Sequence, residues 1–189
     1  MNQELALVPQ YIIQRGNKIQ ANVLSVVLGV LCLSMLAQIA IPLPWTPVPI
    51  TGQTFGVTLI ALMWGRKRAL ATILSYLALG ALGLPIFAMG KAGFSFGPTT
   101  GYLIGMAVAT YWMGFLSDQG WTKSWLRLYL TAVSGSIIIF SCGVAVLSLF
   151  IPTQNLLSAG VLPFLPGDFL KTLISSCIAF QAQRLKFSE

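Results

Sequence analysis

From Leu128 to Ile151 the chain runs without an acid or a base, and its Ile, Val, Leu, Phe, Ala and Gly residues follow no alternating order. A helix of about 20 apolar residues crosses the hydrocarbon core of a bilayer. Only helices and closed barrels can do so, because no water is present there to satisfy a free peptide group. Barrel strands alternate apolar and polar residues, and this run does not. A membrane helix is therefore expected. The pattern recurs in six hydrophobic segments, at about 19–40, 51–64, 69–86, 101–117, 128–151 and 168–183. The second is short enough to be steep or to cross only in part.

Composition settles the class. The chain is 56% hydrophobic and 8% charged, whereas soluble domains are about one-quarter charged. The expected fold is an all-α integral membrane protein, a single membrane domain over 1–189. It comprises an N-terminal segment (1–18), a six-transmembrane-helix bundle (19–183) and a short tail (184–189). The first 18 residues carry Glu4, Arg15 and Lys18 and no cleavage site ahead of the first apolar run, so no signal peptide is expected.

The net charge of +7 invites a nucleic-acid reading, but its distribution points to topology. Arg15 and Lys18, the trio Arg66-Lys67-Arg68, Lys123 with Arg127, and Arg184 with Lys186 fall in regions that share one side of a six-span chain. Positive residues mark the cytoplasmic face. Both termini are expected inside a cytoplasmic membrane, next to anionic lipid. Only Lys91 and Lys171 fall on the other side, with Asp168. The connectors on that side are "IPLPWTPVPITGQ" (41–53), "GLPIFAMGKAGFSFGPTTG" (83–101) and "FIPTQNLLSAGVLPFLPGD" (150–168). They are long and apolar, unlike loops made for water. Irregular backbone at membrane depth is tolerated where it lines a cavity within protein. These outer loops are expected to cap a ligand pocket.

Several function classes drop out. There is no histidine, hence neither the commonest general base nor the commonest metal ligand. The acids Glu4, Asp118, Asp168 and Glu189 are far apart in sequence. No catalytic residue, metal site or cofactor is expected, and the chain does not read as an enzyme. Cys32, Cys142 and Cys177 lie singly in apolar segments. No G-x-x-x-x-G-K-[ST] occurs, so ATP binding by a Walker-type loop is not expected. The spans lack the polar stripes or charged rings of channels. A binding protein or carrier for a small, mostly apolar ligand fits better.

Asp168 and Lys171 stand at i and i+3 and share a face of any helix that starts near Gly167. They form either a cap with a surface ion pair or a ligand site, since ionisable residues at membrane depth mark function. Lys91, in "GKAG", is either an exposed loop lysine or a ligand group. In "GPTTGY", Thr99 or Thr100 can cap the fourth span. Gln53, at the start of the second, offers a donor and an acceptor. Trp45 and Tyr102 read as interface residues or pocket walls. Ser25 and Gly29 form a small-xxx-small pair that suits close packing of another helix, within the chain or from a partner subunit.

Taken together, "IPLPWTPVPITGQTFGV", "LGALGLPIFAMGKAGFSFGPTTGYLIG" and "PFLPGDFLK" resemble BioY, the biotin-capturing S component of energy-coupling factor (ECF) transporters. The resemblance covers nearly all of the chain after about residue 20. It implies biotin as the transported ligand. It also implies a transmembrane coupling subunit and two ABC-type ATPases as partners, although some members work alone. It implies that Asp168 accepts a ureido N–H and that Lys171 donates to the ligand or holds Asp168. Lys91 would face the biotin carboxylate, where the family often carries arginine. Trp45, Phe94, Phe96 and Tyr102 would meet the rings, with Gln53, Thr99 and Thr100 close by. Ser25 and Gly29 stand where such S components meet the coupling subunit, usually through alanine-like residues. An S component for another vitamin or small carboxylate is the alternative.

Overall fold

The computed structural model describes residues 18–187. The segment 1–17, with Glu4 and Arg15, and the last two residues, with Glu189, lie outside the described residues.

Helix α1 (Lys18–Gln38) stops short of the four prolines at 42, 44, 47 and 49, which cannot continue a helix. The chain instead forms a two-residue antiparallel ladder, β1 (Ala40–Ile41) with β2 (Ile50–Thr51), pairing Ala40 with Thr51 and Ile41 with Ile50. The first span thus ends before Ala40, where the sequence reading had carried it on.

Helix α2 spans Gln53–Ala81, but Gly65 inside it has φ 72° and ψ 172°. In one continuous helix, Gln53 and Tyr76 would be about 34 Å apart at 1.5 Å per residue. The Gln53 amide instead donates to the Tyr76 hydroxyl at 2.7 Å. The helix is therefore a hairpin of two antiparallel legs, 53–64 and 66–81, reversing at a single residue. These legs are the second and third expected segments, and their connector has shrunk to Gly65. The reversal is tied down from α3 (Thr100–Asp118). Ser117 donates to Leu62 O at 3.0 Å, and both Asp118 carboxylate oxygens accept the Arg66 N–H at 3.3 Å. The Arg66 guanidinium lies over Tyr111 and Phe115. Gly114 permits this approach, since a Cβ there would meet Arg66 Cα at 2.6 Å. Only glycine enters the backbone region of Gly65 readily, and other residues pay about 1–3 kcal/mol there. Gly65→Ala is expected to lower the thermal midpoint by several degrees, read by thermal unfolding in detergent. An unchanged midpoint would mean that the turn relaxes freely.

Helix α4 (Trp125–Leu147) is capped by Ser124, whose Oγ accepts the Arg127 N–H at 3.4 Å. After the short α5 (Leu156–Gly160) comes α6 (Leu165–Phe187). It begins before the expected residue 168, because Pro166 is tolerated in a first helical turn. Asp168 already has its own N–H bonded to Phe164 O at 2.8 Å, so it stands within the helix and is not its cap.

The core is built mainly from α1, both legs of α2, α3 and α4, with Leu33, Val57, Ile73, Tyr76, Met113 and Leu147 fully enclosed. A smaller cluster joins Leu62 and Leu128 to Ala179 of α6. Large apolar residues cover the outside of α1, among them Ile19, Val23, Val27, Leu31 and Met35. Among the described residues, two helices are long and apolar enough by themselves to cross a membrane, Ile19–Gln38 and Trp125–Leu147. The pair Thr153–Gly160 and Leu165–Arg184, bent by 42°, adds a third. The molecule is an all-α membrane protein.

Ser25 and Gly29 do not lie on the exposed face of α1. Ser25 is 0% exposed and donates to Ala21 O at 2.7 Å. A Cβ on Gly29 would strike Thr72 and Trp64 at 2.6 Å. The pair serves close packing inside the chain, because only small residues let α1 settle on both legs of α2.

Candidate functional site: a loop-capped cavity at the end of the bundle

A cavity of about 520 Å³ opens at the end of the bundle away from Arg66–Arg68. It lies between the β1–β2 connection, the 82–99 segment and the starts of α3 and α6. Its size is that of a small-molecule site. Its walls are largely apolar and aromatic, with Phe87, Met106, Ile139, Phe140 and Phe164 among them. Asp168, Lys171, Lys91, Gln53, Thr99, Thr100, Tyr102 and Phe94 all line it, so most of the residues singled out from the sequence meet in one place.

Asp168 reaches the cavity from the first turn of α6. Ser136, near the middle of α4, donates to Asp168 Oδ1 at 2.9 Å. That bond engages one carboxylate oxygen and orients the group. Lys171 turns the other way. Its Nζ donates to Thr51 O at 2.7 Å, with Thr54 Oγ1 at 3.4 Å. Asp168 and Lys171 form no direct ion pair. Among the described residues the charged contact is Arg66 Nε to Asp118 Oδ2 at 3.9 Å, at the far end. The expected pair thus becomes two separately tethered charges on one wall. The reason is β2, whose Thr51 carbonyl finds its donor in the lysine, so the ammonium is drawn to the strand.

Gln53 is 4% exposed and engaged at both ends of its amide. Nε2 donates to Tyr76 Oη, and Oε1 accepts from Thr51 Oγ1 at 3.0 Å. The Tyr76 hydroxyl in turn donates to Ile86 O at 3.0 Å. Gln53 therefore joins three cavity walls. Thr100 is spent on the loop before it, accepting the Gly97 N–H at 2.9 Å and donating to Ser95 O at 3.4 Å. Thr99 is the N-cap of α3 but makes no side-chain capping bond. Tyr102 donates to Gly160 O at 2.8 Å and presents its ring. Lys91, on the exposed loop, has no ammonium partner among the described residues.

Two expected residues lie elsewhere. Trp45 is 64% exposed on the β1–β2 connection, outside the cavity. Phe96 meets Phe150 in a tilted pair, 5.7 Å between ring centroids, and does not line the cavity. Phe94 and Phe96 stand two apart in a stretch without regular structure, and only Phe94 lines the cavity. Sequence reasoning missed Ser136, Thr54, Phe87, Phe140 and Phe164. No local signal marks Ser136, because its partner is 32 residues away. Ser136→Ala, which frees the Asp168 carboxylate to rotate, is expected to weaken ligand binding about threefold to tenfold, read as a dissociation constant. Equal affinity would remove Ser136 from the site.

A BioY family model matches residues 11–187. The "Biotin transporter BioY" of Thermotoga maritima is 35% identical over 77% of this chain and 87% of its own length. The "Probable biotin transporter BioY" of Pyrococcus horikoshii is 36% identical over 84% of this chain and 93% of its own. Among solved structures, the S-component for biotin from an ECF-type ABC transporter superposes with a TM-score of 0.82 at 25% identity, covering 89% of this chain and 94% of that one. The three loop motifs, the helical bundle and these matches over nearly the whole length agree: the chain belongs to the BioY family.

Proposed function

We propose that this protein captures biotin and carries it across the cytoplasmic membrane as the substrate-binding S component of an ECF-type transporter. The observation that carries this reading is the charge pattern of the cavity. One half-engaged carboxylate, Asp168, and two ammonium groups, Lys171 and Lys91, line a largely apolar and aromatic space. Biotin has a complementary pattern. Its ureido group offers two N–H donors and a carbonyl, its fused rings are apolar, and its tail ends in a carboxylate. Asp168 accepts a ureido N–H, Lys171 supports the carbonyl side, and Lys91 meets the tail carboxylate. Thr99 offers a free hydroxyl, while Gln53, Thr100 and Tyr102 hold the walls and Phe94 covers the rings. The relatives named above, described as biotin transporters, support the choice of biotin over another vitamin.

Energy comes from partners: a transmembrane coupling subunit and ABC-type ATPases. The sequence holds no Walker-type loop of its own. The chain is multi-pass, with Arg66–Arg68, Lys123, Arg127 and Arg184 on the cytoplasmic side and the cavity opening outward. A fluorescent protein fused to the C-terminus is expected to fluoresce, and a periplasm-dependent alkaline phosphatase to stay silent. The opposite pair of results reverses the orientation.

The deciding experiment is equilibrium binding of biotin to the purified protein in detergent, with thiamine and riboflavin as controls. Selective binding of biotin is expected. Folded protein that ignores biotin would sink this reading.

A further inference from the structure

The loop that brings Lys91 to the cavity is held from outside it. Gln38, the last residue of α1, is exposed and does not line the cavity. Its side chain nevertheless grips the loop twice. Oε1 accepts the Gly90 N–H at 3.0 Å, and Nε2 donates to Phe87 O at 3.2 Å. Nε2 also donates to Ser34 O at 3.1 Å, within α1. The glutamine is thereby fixed to its helix while it holds both ends of the turn Ala88–Gly90.

The turn closes on backbone bonds, Gly90 N–H to Phe87 O at 3.1 Å and Phe87 N–H to Lys91 O at 3.2 Å, but it also carries a strained residue. Met89 has φ 61°, the left-handed region, and is the non-glycine residue there among the described residues. Such a conformation persists only where its surroundings enforce it. Gly90 and Gly93, at φ 67° and 79°, flank Lys91 and leave its backbone pliable. A further bond, Lys91 N–H to Ala88 O, is long at 3.4 Å, and beyond Lys91 the Gly93 N–H donates to Gly80 O at 2.8 Å. On the cavity side the Phe87 ring meets Tyr76 edge-on, 5.5 Å between centroids. Gln38 is the side chain that adds a grip on this turn from outside the cavity.

We propose that Gln38 is a positioning residue. By gripping Phe87 O and Gly90 N–H from the end of α1, it sets the direction in which Lys91 meets the anionic tail of the bound ligand. The inference rests on the biotin reading above. It assigns the recognition of the tail to two residues, one inside the cavity and one outside.

The test compares biotin with biotinamide, in which the carboxylate is replaced by a neutral amide. Gln38→Met keeps the length and removes both hydrogen bonds. It is expected to weaken biotin about tenfold and biotinamide less than about twofold. In a Lys91→Ala background the same substitution is expected to add almost nothing, because the group it positions is gone. Unchanged biotinamide affinity also reports that the variant is folded. Gln38→Asn, too short to reach the loop, is expected to give the same selective loss and serves if the methionine variant does not fold. Equal losses for both ligands, no loss for either, or a full loss retained without Lys91 would each overturn the proposal. A wild-type protein that binds neither ligand would instead bring down the biotin reading on which it rests.

Discussion

Replacing Asp168 by asparagine is expected to weaken biotin binding by more than tenfold, at least about 1.4 kcal/mol. The shapes match, so the loss comes from hydrogen bonding. Ser136 donates to Oδ1, leaving the second oxygen to accept an N–H of the ligand. Asparagine has one acceptor. If it serves Ser136, its NH₂ group faces the ligand's N–H, donor against donor. If it flips, its NH₂ group faces Ser136, whose hydroxyl must turn to accept and loses the acceptor for its own proton. A hydrogen bond to a charged acceptor is also worth more than a neutral one, about 1.5–3 kcal/mol. The measurement is the dissociation constant on folded protein. Unchanged affinity would take Asp168 out of the site.

Lys171→Ala is expected to cost at least as much, and to cost stability as well. The ammonium holds Thr51 O at 2.7 Å, and β2 with its Pro-rich connection forms one wall of the cavity. Removing it leaves a carbonyl without its donor and Asp168 without a nearby positive charge. A buried group left without its partner costs about 1–3 kcal/mol, more when charged. A loss of affinity above tenfold together with a lower thermal midpoint is expected. Lys171→Arg separates the two roles. It restores a donor and the charge but not the compact reach, so it should recover the midpoint more fully than the affinity. A Lys171→Ala protein that binds biotin as tightly as the wild type would contradict the assignment.

How much of this was legible in the sequence follows from the range of the forces involved. The helices were readable because each carries its own signal, an apolar stretch bounded by basic residues or prolines. Even the short second span was visible, and the hairpin at Gly65 explains its length. Asp168, Lys171 and Lys91 were readable because a charge amid apolar residues stands out. What they touch was not readable. The i, i+3 spacing of Asp168 and Lys171 predicts a pair, yet Ser136 and Thr51, from distant segments, take one each. Trp45 and Phe96 look like pocket walls because aromatic composition says nothing of direction. Ser25 and Gly29 mark close packing correctly, but not which helix packs. Gln38 carries no sequence signal at all, since the turn it grips lies about 50 residues away.

The single-residue reversal at Gly65 also sets how deep the cargo rides. Leg 53–64 rises only about 18 Å at 1.5 Å per residue, against a hydrocarbon slab of about 30 Å. On the orientation proposed above, Arg66–Arg68 sit at the cytoplasmic headgroups, and Gln53, at the other end of the leg, lines the cavity. Gln53 is then recessed by roughly 12 Å below the opposite surface. On the same proposal, a molecule bound beside Gln53 already lies below the outer surface before any partner acts, and the step left to be powered is shorter than the membrane is thick.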